Sequence, residues 1–472
     1  MIQENKIPGQ LNKQKSDEND RDFKRTIKCL LVLFIASSIA APIYFLFHSP
    51  TYAMGVIGAT VVGLSFYHTP FALMFLFFFF PLEGAVEYSQ VGLGSRLIGV
   101  VVVLSYIVTR FRGKFYISGP FFTIILFNLF AILSILWAVN QNTGVEGNKS
   151  LTLNVILIFI LINTIKDVKQ MKMLLWAMFI GGIVVSVMVS VGQVSYASGG
   201  EKMGRVILAE GTSPNILGNS ILMGFFAGFY FFNEKSKFNK FIFLIAGPLM
   251  LYAILNTQNR TALGNAVIAP IVAFLVSAKG KYLIRNIFGI IGIGFLGYGL
   301  IWVALNTDLL SDYAKQRLLA TENNLEESGR VGVWKTGLEF LAERPVYGWG
   351  WKNFPEKFPV SQKSLTSAHN NIVAVAGELG LIGLVMLLSI YFVIFKQIFK
   401  IPRPPIRWMA VVFVMFTLIA GMTETTIIQK GFWYSIGFAL LGIKIAGEKD
   451  TDKAEISEEN KVLTPDELLN SI

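Results

Sequence analysis

Apolar residues run along this chain in long blocks, and polar residues are confined to the stretches between them. The blocks fall at about 27–47, 51–67, 69–84, 91–110, 119–138, 150–165, 170–192, 214–232, 238–255, 261–278, 284–305, 370–397, 407–421 and 431–446. Blocks of this length predict helices that cross a bilayer. Lipid offers no partner to backbone N–H and C=O groups, so a spanning segment must satisfy them internally. Some of the shorter blocks would be re-entrant or paired. The pattern therefore predicts an all-α polytopic integral membrane protein with about 12–14 transmembrane helices. Between 306 and 369 the apolar blocks stop, which predicts one large loop carrying short helices. Inside it Val331, Trp334, Leu338 and Leu341 recur at steps of three and four, the stripe of an amphipathic helix. That helix should open as a capped start at Ser328-Gly329-Arg330 and stop near Arg344, because Pro345 disfavours the α region for its neighbour. The aromatic, Gly-rich turn Tyr347-Gly348-Trp349-Gly350-Trp351 is of the kind that sits at a membrane–water boundary.

The chain divides accordingly into a polar tail over 1–26, read as disordered, a first helical bundle over 27–305, the large loop over 306–369, a second set of helices over 370–446, and an acidic, solvated tail over 447–472. The first apolar block follows a charged N-terminus and is succeeded by many more, which reads as an anchor and not a cleaved signal.

Composition sharpens the class. Of 472 residues 53% are hydrophobic, 40 are Phe and only 15% are charged, too little polar surface for a water-soluble chain of this size. A net charge of +11 raises the question of nucleic acid, but the basic residues are dispersed among short loops. Arg110, Arg112 and Lys114; Lys166, Lys169 and Lys172; Lys235, Lys237 and Lys240; Lys279, Lys281 and Arg285; and Lys396, Lys400, Arg403 and Arg407 occupy every second loop, and Lys24, Arg25 and Lys28 fall on the same side. The positive-inside rule makes that side the cytoplasm, with both termini inside and 328–369 outside. A single cysteine, Cys29, excludes an internal disulfide and supplies no metal-ligand spacing; the outer loops hold no convincing carboxylate or His cluster with ligand spacing, so no metal is expected, and no cofactor is assigned.

Arg330 with Trp334, Pro345-Val346-Tyr347-Gly348-Trp349-Gly350, His369-Asn370 and Glu378-Leu379-Gly380-Leu381-Ile382-Gly383 together resemble the signature of the O-antigen ligase/O-antigen polymerase superfamily. Those are bacterial membrane glycosyltransferases that consume glycans carried on undecaprenyl diphosphate. The resemblance implies a GT-C-like architecture, a cytoplasmic (inner) membrane location with an extracytoplasmic active site, and a metal-independent, inverting transfer to an acceptor hydroxyl. In the ligase version that hydroxyl belongs to a lipid A-core sugar, and in the polymerase version to a second lipid-linked repeat unit.

The candidate residues follow, each with its plain alternative. Arg260 is the lone charge between Phe241 and about Lys279, and an isolated arginine near membrane depth usually faces a partner or a wet cavity; the alternative is a snorkelling side chain. The resemblance assigns it to the lipid diphosphate, together with Arg205, which precedes Gly211-Thr212-Ser213-Pro214-Asn215 and could also be a solvated loop charge. Arginine suits this task because its planar fork holds phosphate oxygens in pairs. Arg330 stands at a helix start, where backbone N–H groups favour an anion, or pairs with Glu326 or Glu327. His369, after a possible Ser367 cap and in the first turn of the membrane helix, is the candidate general base, since the positive helix end disfavours imidazolium there. His48 and His68 read as interfacial or core. Asn370, Glu378 and Glu424 are possible supports; Glu378, buried in a membrane helix, should meet an arginine or a polar wall. Gly380 and Gly383 read as close-packing positions.

Two other classes compete. A transporter or flippase would show inverted repeats and midplane charges, whereas here the charges gather around one outer loop. A metal-dependent oligosaccharyltransferase would want a carboxylate in the first outer loop, where this chain has His48-Ser49-Pro50-Thr51.

Overall fold

The computed structural model describes residues 8–47, 50–83, 94–110, 115–193, 195–196, 205–207, 213–276, 283–307, 315, 330–358 and 367–459. Each of the fourteen apolar blocks is a helix. In order they are α1 (Pro8–Phe47), α2 (Pro50–Tyr67), α3 (Thr69–Phe79), α4 (Gly94–Arg110), α5 (Gly119–Leu133), α6 (Gln141–Thr164) and α7 (Val168–Ser190). A two-residue antiparallel pair, β1 (Ser195–Tyr196) and β2 (Val206–Ile207), sets Ser195 opposite Ile207 and Tyr196 opposite Val206. Then come α8 (Pro214–Phe232), α9 (Lys237–Asn256), α10 (Arg260–Val276), α11 (Leu283–Asn306), the loop helix α12 (Arg330–Glu343), α13 (Asn371–Ile398), α14 (Pro404–Thr423) and α15 (Lys430–Glu459).

The polar joints start these helices. Ser118, Asn140, Asp167, Ser236 and Asn370 each accept a hydrogen bond from a backbone N–H in the first turn of the following helix, satisfying donors that the helix itself leaves open. The result is an all-α polytopic membrane protein, but its helices are less uniform than the blocks suggest. Among the described residues seven are long and apolar enough to cross a membrane, and four apolar helices are shorter, including Thr69–Phe79 and Arg260–Val276. An 11-residue helix such as α3 rises only about 16 Å, half of a hydrocarbon core.

Three boundaries differ from expectation: α6 begins at Gln141, nine residues ahead of its apolar block, and the other two lie at the tails. Helix α1 begins at Pro8, inside the tail assigned to disorder, and α15 runs on to Glu459 through acidic sequence. Good helix formers extend an existing helix at little cost, and at the start of the chain Lys24 pairs with Asp20 one turn away at 2.8 Å while Lys169 reaches the same Asp20 at 3.7 Å.

The halves on either side of the large loop share one core. Helix α14 packs on α8 and α10, and α15 on α6, so Phe127, Ile158, Phe226, Met250, Phe413, Trp433 and Phe438 are all buried in one cluster. Outward-facing Phe34, Val108, Leu136, Phe288, Phe295 and Phe392 are 69–75% exposed, the face a hydrocarbon solvent tolerates. Basic joints meet at one end: Lys172 pairs with Glu234 at 2.5 Å, near the joints that hold Lys169 and Asp20. His68 is buried there against Thr26 at 2.7 Å, as a core histidine; His48 lies outside the described residues.

Candidate functional site

At the opposite end the large loop enters the bundle. Helix α12 stops at Glu343, as Pro345 requires, and the turn that follows dives against α13. Gly350 N–H donates to Glu378 O (2.8 Å) and Trp349 N–H to Gly377 O (3.2 Å), while Leu381 N–H donates to Pro345 O (2.7 Å) and Ile382 N–H to Val346 O (3.2 Å). These bonds are open because α13 breaks at Gly380, whose φ of 64° only glycine adopts readily. Gly348, with φ of 66°, faces the break so closely that a Cβ there would lie 2.5 Å from Glu378 C and O. The turn is therefore an inserted wedge. Its aromatic residues divide: Trp351 is fully buried, its backbone N–H donating to Ser134 Oγ at 2.9 Å, while Tyr347 is 44% exposed. Trp349 is held between Arg344 and Lys357, at 3.8 and 3.5 Å from its ring centre.

Glu378 closes the wedge. Its Oε2 accepts from Lys352 N–H (2.9 Å) and its Oε1 from Phe354 N–H (3.1 Å). The expected arginine or polar wall is main chain instead. Seven residues below the helix start, Glu378 lies about 10 Å along the axis from Asn371. Gly380 is a helix break, and Gly383 packs on Leu379 of its own helix.

His369 stands just before α13 and not in its first turn. Asn370 is the cap, accepting from Ile372 and Val373 N–H (2.8 and 3.2 Å), and the Ser367 hydroxyl instead meets Thr425 Oγ1 at 3.2 Å. His369 itself is half-buried with φ of 47°, a left-handed conformation that costs a histidine energy unless the surroundings impose it. They do. Trp334 Nε1 donates to Ala368 O (2.9 Å) on one side. On the other, Asn370 Nδ2 donates to Met422 O (3.3 Å), Asn371 Nδ2 to Thr426 Oγ1 (3.0 Å), and Ile427 N–H to Asn371 Oδ1 (3.0 Å). The His369 loop is thereby stitched between α12 and the segment 422–427.

The arginines come to the same end. Arg330 is the first residue of α12, one turn from Trp334; Glu326 and Glu327, its alternative partners, and the proposed cap Ser328 lie outside the described residues. On α12 the side facing the protein is Gly337 and Phe340; Val331 and Leu338 of the apolar stripe are 45% and 59% exposed. Arg260 is exposed as the first residue of α10, beside Thr261, whose hydroxyl meets that of Thr423 at 2.7 Å. Arg205 is no solvated loop charge. It is 4% exposed at the edge of β2, its Nε donating to Thr257 O at 2.9 Å and its terminal nitrogen to Asn215 Oδ1.

Glu424 lies between these groups. It caps the end of α14, is 7% exposed, and receives Asn219 Nδ2 at 3.4 Å. Burial pushes its carboxyl up to about 7, against the pull of Arg205 and Arg330 and hydrogen bonds from Gln429 and Asn219. Asn259, which caps α10 by accepting from Ala262 N–H (3.0 Å), also donates to Asn215 O and Asn219 Oδ1 (3.1 and 3.3 Å). Asn219 and Asn259 escaped the sequence reading. A signal existed for Asn219, an amide in an apolar helix, since such a group needs a partner in lipid. For Asn259 it was hidden in a polar loop. The acidic loop residues Asp308, Asp312, Glu322, Glu201 and Glu210 lie outside the described residues.

Fold and cluster together define a polytopic membrane protein that gathers three arginines, a histidine and a buried carboxylate at one end of its helices. Residues 245–388 match the model of the family described as O-antigen ligase. A curated relative, the General O-oligosaccharyltransferase of Acinetobacter baylyi, is 24% identical over 176 residues, 35% of this chain and 31% of that protein. The chain thus matches about a third of the relative's length. Both matches support a likeness to the O-antigen ligase superfamily over this part of the chain. The matched region holds Arg260, Arg330, His369, Asn370 and Glu378; Arg205 and Glu424 lie beyond it and are joined to it only by the fold.

Proposed function

We propose that this protein is a glycosyltransferase that moves a glycan from undecaprenyl diphosphate to an acceptor hydroxyl on the outer face of the cytoplasmic membrane, in the manner of an O-antigen ligase. The observation that carries the reading is the convergence of Arg205, Arg330, His369 and Glu424 at one end of the bundle, with Arg260 at the start of the adjoining helix. Arginines there suit a diphosphate, which they would bind and whose charge they would stabilise as it leaves. His369 would take the proton from the acceptor hydroxyl as its oxygen attacks the anomeric carbon from the face opposite the phosphate, with inversion. The reading requires no metal, because fixed cations meet the leaving group. The meeting of basic joints at the other end supports both termini in the cytoplasm.

The ligase assignment takes lipid A-core as acceptor. The name of the Acinetobacter relative favours stating the reaction by its bond, an oligosaccharide passed to an oxygen, and a polymerase acting on a second lipid-linked unit obeys the same chemistry. The test is transfer by purified full-length protein supplied with undecaprenyl-diphosphate-linked glycan and lipid A-core, or with no second acceptor, each with and without EDTA. Core-dependent transfer that resists EDTA is expected. Product made without core would assign polymerase, and no glycan consumption in any arm would overturn the reading.

A further inference from the structure

The inserted turn leaves one buried donor without an acceptor. The Trp351 side chain is 1% exposed and its Nε1–H has no partner among the described residues, whereas Trp433 Nε1, nearby, donates to Ile427 O at 2.8 Å. An N–H buried in this way is costly and asks for a partner. The indole edge that carries it borders a cavity of about 50 Å³ between α6, the turn and the segment 427–428, with Lys352, Ser150 and Asn154 also in the wall. Gly147 of α6 makes the room: a Cβ there would lie 3.1 Å from Trp351 Cδ1, the atom bonded to Nε1, and 2.8 Å from Lys352 Cβ. Asn154 is 4% exposed and likewise has no hydrogen-bond partner among the described residues. Lys352 forms no salt bridge among them, and Glu378, which accepts its main-chain N–H, is spent on the backbone of the turn. The cavity opens between Ser150 and Ile428, both exposed, at the residue where the apolar block of α6 begins, which is headgroup level.

We propose that this cavity binds the phosphoryl group of a lipid in the leaflet that faces the large loop, at a site separate from the arginine cluster. The indole and the ammonium can only donate, the Asn154 amide adds a third donor, and no acidic residue lines the space. Such a wall fits an anionic oxygen, and lysine holds phosphate as a point charge. The room is several times what one water needs, enough for a phosphoryl group whose chains stay in the bilayer beyond the opening. Two sources carry that group: a phospholipid headgroup, or a second glycan-bearing lipid waiting as acceptor. Only the second source rests on the proposed transfer. It is suitably placed for it, since Ile427 in the cavity wall donates its N–H to Asn371 Oδ1 at 3.0 Å, one of the bonds that stitch the His369 loop.

The orphan N–H is its own reporter. Full-length protein with isotope-labelled indole nitrogens, in dodecyl maltoside, is titrated by NMR with phosphatidylglycerol, with undecaprenyl-diphosphate-linked N-acetylglucosamine, and with uncharged diacylglycerol; Trp351→Phe identifies the resonance. A phosphate-bearing lipid should shift it and diacylglycerol should not. Lys352→Gln should weaken the response by about 10- to 100-fold, the usual loss of one charge-assisted hydrogen bond, while the other indole resonances show that the fold persists. Asn154→Leu is a second variant expected to blunt it. Lys335→Gln, on the exposed face of α12, and Arg260→Gln, in the arginine cluster, should leave it in place. A response to the lipid-linked glycan alone assigns the acceptor, and an equal response to phosphatidylglycerol assigns a phospholipid. No shift with either lipid, or an equal shift in wild type and Lys352→Gln, overturns the inference. Failure of the arginine cluster to bind the glycan would sink the donor reading and leave the response to phosphatidylglycerol untouched.

Discussion

Glu378 and Glu424 invite comparison, because they are equally buried and stand on neighbouring helices yet serve opposite ends. Glu378 is gripped by two main-chain N–H groups of the inserted turn, at 2.9 and 3.1 Å, with a glycine-for-glycine fit above it. Glu424 faces long side-chain amides and the fields of arginines from separate elements. A carboxylate held by backbone cannot lose its partners without unfolding the turn. One held by side chains and charges can exchange them. The first region reads as scaffold, the second as working surface, and each substitution below is chosen to break that division.

The largest effect should come from the scaffold. Gly380→Ala adds a Cβ 2.5 Å from Val346 C and O at a residue with φ of 64°, where strain alone costs about 1–3 kcal/mol and the backbone collision adds to it. Loss of folded, monodisperse protein in detergent is expected. Gly264→Ala, where a Cβ meets nothing within 4 Å, is the control that should fold. A well-folded Gly380→Ala protein would show that the wedge is not required.

Next comes the working surface. His369→Gln should lower transfer by about 10²–10⁴-fold, the usual contribution of a general base, while thermal stability and binding of the lipid-linked glycan persist. Retention of most activity would reduce His369 to a loop residue. Arg260→Lys should lower transfer by about 10- to 100-fold, the loss of one charge-assisted bond of about 1.5–3 kcal/mol, because an ammonium cannot reproduce the guanidinium fork. Near-normal turnover in Arg260→Lys and Arg260→Ala together would mean that Arg260 only snorkels.

Glu378→Gln reverses the pattern. It replaces one accepting oxygen by an N–H facing another N–H, so the folded state should lose about 1–3 kcal/mol, read as a lower unfolding midpoint. Rate per folded molecule should stay near wild type. A loss of rate without loss of stability would move Glu378 from scaffold to chemistry.

Much of this was legible beforehand. All fourteen apolar blocks are helices, and the superfamily signature spans both the wedge and His369. What the sequence could not convey is how its pieces interlock. Pro345–Gly350 and Glu378–Gly380 look like separate short motifs, but their glycines are complementary halves of one backbone contact, and no periodicity encodes a contact across thirty residues. Gly380 reads as a packing residue because its positive φ leaves no mark on the pattern. Arg205 reads as a solvated charge because its partners, Thr257 O and Asn215, arrive from other elements. Asn370 was visible as a residue but not as a cap, since Ser367 also fits that role by type.

The smallest effect is the pH dependence that Glu424 brings to stability. Burial raises the folded-state Glu424 carboxyl to about 7 from the ordinary 4.5. Between those values the folded protein holds a proton that the unfolded chain has released. Its contribution to stability is thus complete below about 4.5 and is lost as pH rises through about 7, at up to about 1.4 kcal/mol per pH unit. In a chain of this size that is a few degrees in Tm. Glu424→Gln mimics the protonated carboxyl and should remove this component, so its midpoint should match wild type at acidic pH and exceed it above neutrality. Thermal scans of the ligand-free protein across that range measure the difference directly. Parallel curves for wild type and Glu424→Gln would mean that burial does not hold the Glu424 carboxyl above its ordinary range in the folded protein.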